Sequence, residues 1–234
     1  EFSRSNVTYG FDESNDYVLS NYKSNNFRST FSLSHENQLI SIDLNMLGRH
    51  NALNASAACV LALEEGVDVL KVQHALKNFM GINRRMQVLG DIKIKNSIST
   101  LIDDYGHHPS EIRSTIDSIR ESHPEKKLTM VFQPHRYSRT KDLFEEFIEV
   151  LQTVDQIILL DIYSAGESPI KGIGSEEIMK KILDQGFNKV KLLNSGNEII
   201  RSLEDQVDND SVLIMQGAGN ISDISSEIKK KYLD

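Results

Sequence analysis

The feature that most constrains the fold is a regular alternation, after Gly81, of short apolar runs with amphipathic stretches of helical length. The apolar runs stand at residues 88–94, 99–102, 128–132, 156–162, 190–193 and 211–215. Helical patterning follows at about residues 109–122, 140–152, 175–185, 196–206 and 221–232. Strands separated by helices of that length build βαβ units, so the spacing predicts an α/β region with a mostly parallel sheet and helices on both faces.

The segment before Gly81 reads differently. Residues 1–47 form short strand-like runs divided by Asn, Ser and Asp clusters, among them 7–9, 17–20, 27–33 and 39–44. Residues 51–65 are rich in Ala and Leu and stop at Gly66, a common helix terminator, and Asp68 then caps a second helix. The apolar stripe of that helix is Val69, Val72, Ala75, Leu76 and Phe79, and the two helices are expected to pack together. At 234 residues the length suits two domains, with a boundary expected near residues 80–87. The chain opens on Glu1-Phe2 rather than Met and runs straight into strand-like sequence, which reads as a piece of something longer.

A net charge of -8 argues against nucleic acid as a partner, because no basic surplus exists to neutralise phosphates. Cys59 is the only cysteine, so a disulfide framework and a cysteine-ligated zinc site are both excluded, and a buried inert thiol is expected. No apolar run approaches the roughly 20 residues that span a bilayer. A reducing, cytoplasmic setting without a membrane partner follows as the expectation. Nothing in the sequence fixes an oligomeric state.

Polar clusters stand just after the predicted strands. Asp103-Asp104-Tyr105-Gly106-His107-His108-Pro109 follows the apolar Leu101 and Ile102, and Pro109 suits the first turn of a helix, where its missing N–H costs nothing. Gln133-Pro134-His135-Arg136-Tyr137-Ser138-Arg139 follows Phe132, Tyr163-Ser164-Ala165-Gly166-Glu167 follows Ile162, and Gln216-Gly217-Ala218-Gly219-Asn220 follows Met215. Ligands of open parallel sheets bind outside the carboxyl ends of the strands, so four such loops on one edge point to a site. Arg136 and Arg139, three apart at a helix start, suit a carboxylate or phosphate. The Gly217-Ala218-Gly219 turn offers backbone N–H groups to an anion, and His107, His108 and His135 suit proton transfer or orientation near neutral pH. No metal-ligand spacing accompanies them. The loop Gly-x-x-x-x-Gly-Lys-Ser/Thr that cradles nucleotide phosphates does not occur. The residues alone thus describe an α/β domain binding a small anionic ligand.

These motifs occur in an order and at spacings that resemble the Mur ligase family. They are Gly48-Arg49-His50-Asn51-Ala52-Leu53-Asn54-Ala55, Gly81-Ile82-Asn83-Arg84-Arg85, Asp103 to Pro109, Gln133 to Thr140, and the loops that begin at Tyr163 and Gln216. The resemblance runs from Tyr9-Gly10-Phe11 to the last helix, and it departs at Met86, where the family usually has an aromatic; only a packing difference is expected there. It implies that residues 1–83 are the carboxyl-terminal part of a central ATP-binding domain. Residues 84–234 would be a whole Rossmann-like carboxyl-terminal ligase domain.

The implied activity is ATP-dependent amide-bond formation in peptidoglycan precursor synthesis. A UDP-N-acetylmuramate carboxylate is phosphorylated, and the acyl phosphate is attacked by the amine of L-alanine. By the same resemblance His50, Asn51 and Asn54 neighbour adenine, Arg85 contacts phosphate and Asp104 ribose. His107, His135, Arg136 and Arg139 would surround the amino acid, the arginines taking its carboxylate and either histidine helping to deprotonate its ammonium or only positioning it. For Tyr105, Tyr163 and Glu167 two readings stay open, ligands or wall residues. The phosphate loop and the Mg²⁺ ligands of the family are not in this chain, so on its own it is expected to be inactive. Read without the resemblance, Asn51 and Asn54 serve equally as helix caps and Arg85 as an interdomain salt bridge. Two other functions stay open: a ligase of the same family that attaches a whole tripeptide in recycling, and a non-catalytic nucleotide-binding module.

Overall fold

A computed structural model describes residues 6–36 and 38–233, and the Glu1-Phe2 opening lies outside them. Contacts divide the chain into two units, residues 1–81 with 117–124, and residues 82–116 with 125–234.

In the first unit, strands β1 (Tyr9–Gly10), β2 (Tyr17–Asn25), β3 (Arg28–His35) and β4 (Gln38–Leu44) form a sheet in that order. β1 runs parallel to β2, and the other pairings are antiparallel. Alternate residues Phe31, Leu33, Ile40, Ile42 and Leu44 are buried beneath helix α1 (Arg49–Glu64) and helix α2 (Val69–Asn78), with Ala52, Ala55, Cys59, Val60 and Val72 supplying the helical side. Helix α1 ends as its composition implies. Gly66 takes φ 79, its N–H donates to the Leu63 carbonyl and that of Val67 to the Ala62 carbonyl, a Schellman closure. Asp68 caps α2 by accepting from the N–H groups of Leu70 and Lys71. The predicted stripe of α2 is narrower than expected. Val69, Val72 and Leu76 join the core, whereas Ala75 is exposed and Phe79, beyond the last helical turn in extended conformation, is also exposed. Residues 7 and 8 are not strand, because pairing with β2 begins at Tyr9.

The second unit contains β5 (Gln87–Ile94), β6 (Ser97–Asp104), the first part of α3 (Pro109–Ser122, whose residues from 117 onward count with the first unit), β7 (Leu128–Phe132), α4 (Tyr137–Asp142), α5 (Phe144–Leu151), β8 (Gln156–Leu159), α6 (Ser175–Asp184), β9 (Val190–Leu192), α7 (Gly196–Gln206), β10 (Ser211–Gln216) and α8 (Ile221–Tyr232). The sheet order is β5-β6-β10-β7-β8-β9; only β5, at one edge, runs antiparallel. The predicted α/β class and mostly parallel sheet are thus present. Every residue of β7 and of β10 is buried, as expected of strands covered on both faces. Leu101, Val131, Ile158, Leu213 and Met215 pack with Ile199, Leu203, Ile221 and Ile228 of α7 and α8. The alternate residue Phe132 meets Phe147 of α5, ring centres 5.6 Å apart, so the other face is covered too.

Of the boundaries that differ from expectation, three lie at or just beyond strand carboxyl ends in this sheet. β6 runs through Asp103 and Asp104 instead of ending at Ile102, since both residues pair with Met215 and Gln216 of β10. β8 stops at Leu159 rather than residue 162; after the Leu160 N–H reaches the Phe132 carbonyl, the Asn194 side chain takes over as acceptor for the Asp161 N–H. The helix expected at 140–152 is two helices broken at Leu143 (φ -119, ψ 28), and the first begins at Tyr137. Ser138, in the first turn of that helix, bonds a carboxylate from another loop, described below.

Candidate active site

β10 lies between β6 and β7 although it comes last in the chain, so connections leave this point on opposite faces and the carboxyl ends of the three strands open into a crevice. Backbone bonds extend the sheet one step past each end: the Gly217 N–H donates to the Asp104 carbonyl (2.9 Å) and the Gln133 N–H to the Gln216 carbonyl (3.0 Å).

The innermost polar side chains bond mainly within this edge. Asp104 is 5% exposed, with one carboxylate oxygen accepting from the Gly106 N–H (2.7 Å) and the other from the Thr115 hydroxyl. Gln216 is fully buried and donates its amide to the Gly106 carbonyl at 2.7 Å. Gln133 bridges to the next helix, its amide nitrogen donating to Asn220 Oδ1 (2.8 Å) and its oxygen accepting the Ile221 N–H (3.0 Å). Arg84 fastens three elements at once. Its Nη2 donates to the Gly217 carbonyl (2.6 Å), its Nε to Asp103 Oδ1 (3.3 Å), and its guanidinium lies 5.1 Å from the Tyr105 ring centre. Burial pushes the Asp103 carboxyl above its ordinary value, and Arg84 opposes that shift.

In the Gly217-Ala218-Gly219 turn, both glycines stand where the backbone packs closely on Gln133. Gly217 adopts φ 145, and a Cβ there would come 2.7 Å from the Gln133 carbonyl; a Cβ on Gly219 would strike the Gln133 amide oxygen. Close approach explains both glycines, and the Gly217 and Ile221 N–H groups are already used within the edge.

The outer side chains form a second group. The rings of Tyr105, His107, His135 and Tyr163 follow one another with centres 5.4, 5.6 and 5.6 Å apart. Arg139 Nη1 lies 3.2 Å from His135 Nδ1 and must be the donor, since guanidinium has no acceptor; the hydrogen of a neutral His135 therefore sits on Nε2. His107 shows the opposite tautomer. Its Nδ1 lies 3.1 Å from the Tyr105 carbonyl, which only accepts, so the lone pair of the neutral ring is on Nε2. Burial, then His107, Arg139 and Arg136, hold the His135 pKa below the ordinary imidazole value. Arg136 is exposed and held at φ 71, ψ 137, a conformation that costs a non-glycine residue on the order of 1–3 kcal/mol and that clusters at functional sites.

His108 stands apart from this group. Its carbonyl accepts the Ile112 N–H, its ring bonds Ser110, and its N–H donates to Glu111, so it caps α3. Pro109 is the first residue of that helix, as predicted. Glu111 also accepts from the His107 N–H (3.0 Å) and from Arg85 (3.2 Å). Burial alone would raise its pKa, but these donors outweigh it and hold the carboxyl low. Arg85 is thus paired with Glu111 inside the second unit. Arg84, Glu111, Gln133 and Gln216 are the contributors that sequence reasoning did not assign. Only Glu111 left a local sign, an acid three residues after the capping position. Near this edge, a cavity of about 310 Å³ is lined by Gln133, Asp161, Tyr163, Asn194 and Asn220 among others.

In the first unit His50 and Asn54 lie on the exposed side of α1, one turn apart. Asn51 is turned inward, 8% exposed, and donates its amide to the Leu47 carbonyl at 2.7 Å. Neither asparagine is the helix cap, which is Gly48. Cys59 is fully buried, and burial pushes its thiol up to about 11. Among the described residues no group of three His, Cys, Asp or Glu is placed to hold a metal ion, and no helix is long and apolar enough to cross a membrane.

Comparison with known proteins matches two family descriptions along the chain. The family described as Mur ligase, glutamate ligase domain matches residues 84–219, and the Mur ligase middle domain matches residues 1–62. Among solved structures, the UDP-N-acetylmuramate-alanine ligase MurC from Thermotoga maritima is similar with a TM-score of 0.78 and 24% identity, over 97% of this chain and 47% of that one. The murein peptide ligase Mpl from Psychrobacter arcticus gives 0.63 and 20%, over 95% and 45%. MurF ligase from Thermotoga maritima, solved in complex with ADP, gives 0.64 and 17%, over 96% and 49%. The chain therefore spans about half the length of these structures, which share its fold. A family match across more than half of the residues, agreeing with the sheet order and the loop motifs, makes this chain a member of the Mur ligase family.

Proposed function

We propose that this chain forms part of an ATP-dependent ligase that joins L-alanine to UDP-N-acetylmuramate through an acyl phosphate, in peptidoglycan precursor synthesis. The observation that carries the reading is the group His107, His135, Arg136 and Arg139, which combines two cations with two imidazoles of opposite tautomer at one sheet edge.

In this reading Arg136 and Arg139 take the amino acid's carboxylate. His107 accepts a proton from its ammonium, because Nε2 bears the lone pair, while His135 donates from Nε2 and orients the substrate. ATP, when bound, supplies the phosphoryl group that activates the sugar carboxylate. His50 and Asn54 present polar groups on an exposed helix face suited to adenine, Asn51 retains its side-chain oxygen and one amide hydrogen for such a contact, and Arg85 keeps donors beyond the one given to Glu111 for phosphate. Asp104, whose oxygens already accept from Gly106 and Thr115, would contribute to a ribose contact through its remaining lone pairs. Mg²⁺ would be held by residues outside this chain.

The test is ADP release by a ligase containing this chain together with a phosphate loop, supplied with UDP-N-acetylmuramate and either L-alanine or a tripeptide. Turnover with alanine supports the reading, and turnover with the tripeptide alone moves it to the recycling reaction. Arg139→Ala should raise the KM for alanine far more than that for ATP; equal effects would count against it. The 234-residue chain by itself is expected to form no ADP.

A further inference from the structure

Arg136 occupies a conformation that it would not choose, so something outside its own turn must hold it there. The loop after β8 does so through four bonds. The Arg136 N–H donates to the Tyr163 carbonyl (2.9 Å) and the Tyr163 N–H to the Pro134 carbonyl (2.8 Å). Glu167 then accepts the Ser138 N–H on one carboxylate oxygen (2.9 Å) and the Ser138 hydroxyl on the other (2.6 Å). Ser138 lies in the first turn of α4, which begins at Tyr137, directly after Arg136. Its pKa lies below the ordinary value because the Ser138 hydroxyl and then its N–H bond the charged form.

We propose that Glu167 is a positioning residue: by clamping Ser138 it holds the Arg136 to Arg139 turn in the conformation that presents both guanidinium groups to one carboxylate. The proposal rests on the functional reading above for the identity of that carboxylate, and on geometry alone for the clamp. The loop is shaped for this task. Ala165 and Gly166 take φ 50 and φ 88 in succession, and the Glu167 N–H donates to the Ser164 carbonyl, which turns the chain so that the carboxylate faces α4. In this role Glu167 acts on the site through another residue.

Two measurements test it. In this chain, amide hydrogen exchange at Arg136 and Ser138 should quicken about tenfold in Glu167→Ala, the weight of one charge-assisted hydrogen bond, and less in Ser138→Ala, which keeps the N–H. In the ligase reaction, Glu167→Ala should raise the KM for the amino acid by a similar factor and leave the KM for ATP unchanged, and Glu167→Asp should recover part of the loss. The Glu167→Ala/Ser138→Ala pair should be no worse than Glu167→Ala alone. Unchanged exchange at both amides overturns the clamp. Faster exchange with both KM values raised alike, or neither, overturns the positioning role. If the wild-type ligase does not use the amino acid at all, the functional reading fails while exchange still decides the clamp.

Discussion

The inner and outer halves of the same sheet edge use similar residues in opposite ways. Asp103, Asp104, Gln133 and Gln216 are 6%, 5%, 6% and 0% exposed, and their side chains are bonded within the edge. His107, His135, Arg136 and Arg139 are half-buried or exposed and keep donors or lone pairs unspent. A polar residue beside a crevice is therefore not yet a ligand contact. The inner set stiffens the platform on which the outer set is displayed, and it can do so because buried polar groups must find partners. The outer set is held in part against its own preference, as Arg136 shows.

Removing an inner partner should destabilise most. Arg84→Met would leave the Asp103 carboxylate and the Gly217 carbonyl without their donor, for a loss of about 3 kcal/mol in urea denaturation at neutral pH. The effect should depend on pH. Asp103 has a raised pKa, so the folded state keeps its proton to higher pH than the unfolded state, and stability from this group falls as pH rises through the raised value. Without Arg84 that value rises further, so the deficit should shrink at about pH 4; a deficit equal at both pH values would break the assignment. Gly217→Ala should follow at about 2 kcal/mol, from its φ of 145 and the 2.7 Å approach to Gln133, and a neutral result would show that the edge can give way there. Thr115→Val should cost about 1–2 kcal/mol, since it strips a donor from the buried Asp104.

An outer substitution should run the other way. Arg136→Gly is expected to raise stability by about 1 kcal/mol, strain relief less the added freedom of glycine when unfolded, while weakening amino-acid binding. A lowered melting temperature would mean that the Arg136 side chain is itself part of the platform. Lys95→Ala marks the floor of the scale: the Lys95 to Asp205 pair is exposed on both sides, and a change below about 0.5 kcal/mol is expected.

The clusters after the strands were legible because loop chemistry is local: Pro109 starts a helix, Gly66 ends one, and Asp68 caps the next. The extent of β6 was not. Two consecutive acids read as loop, and they lie in a buried strand only because Arg84, Thr115 and the Gly106 N–H supply partners. The nucleotide candidates show the same limit. His50, Asn51 and Asn54 look equivalent in sequence, yet Asn51 turns inward to Leu47 while the other two lie on an exposed face.

By itself the sequence determined the α/β class, the strand and helix succession after Gly81, the inert thiol at Cys59 and the four polar loops that follow strands, because periodicity, turn residues and composition act over a few neighbouring positions. Tertiary structure alone decided that β10 sits between β6 and β7, that Arg84 rather than Arg85 ties the edge together, and that His107 and His135 carry opposite tautomers. Those outcomes depend on partners that the chain brings together from distant positions, and a hydrogen-bond role has no meaning until its partner is in place.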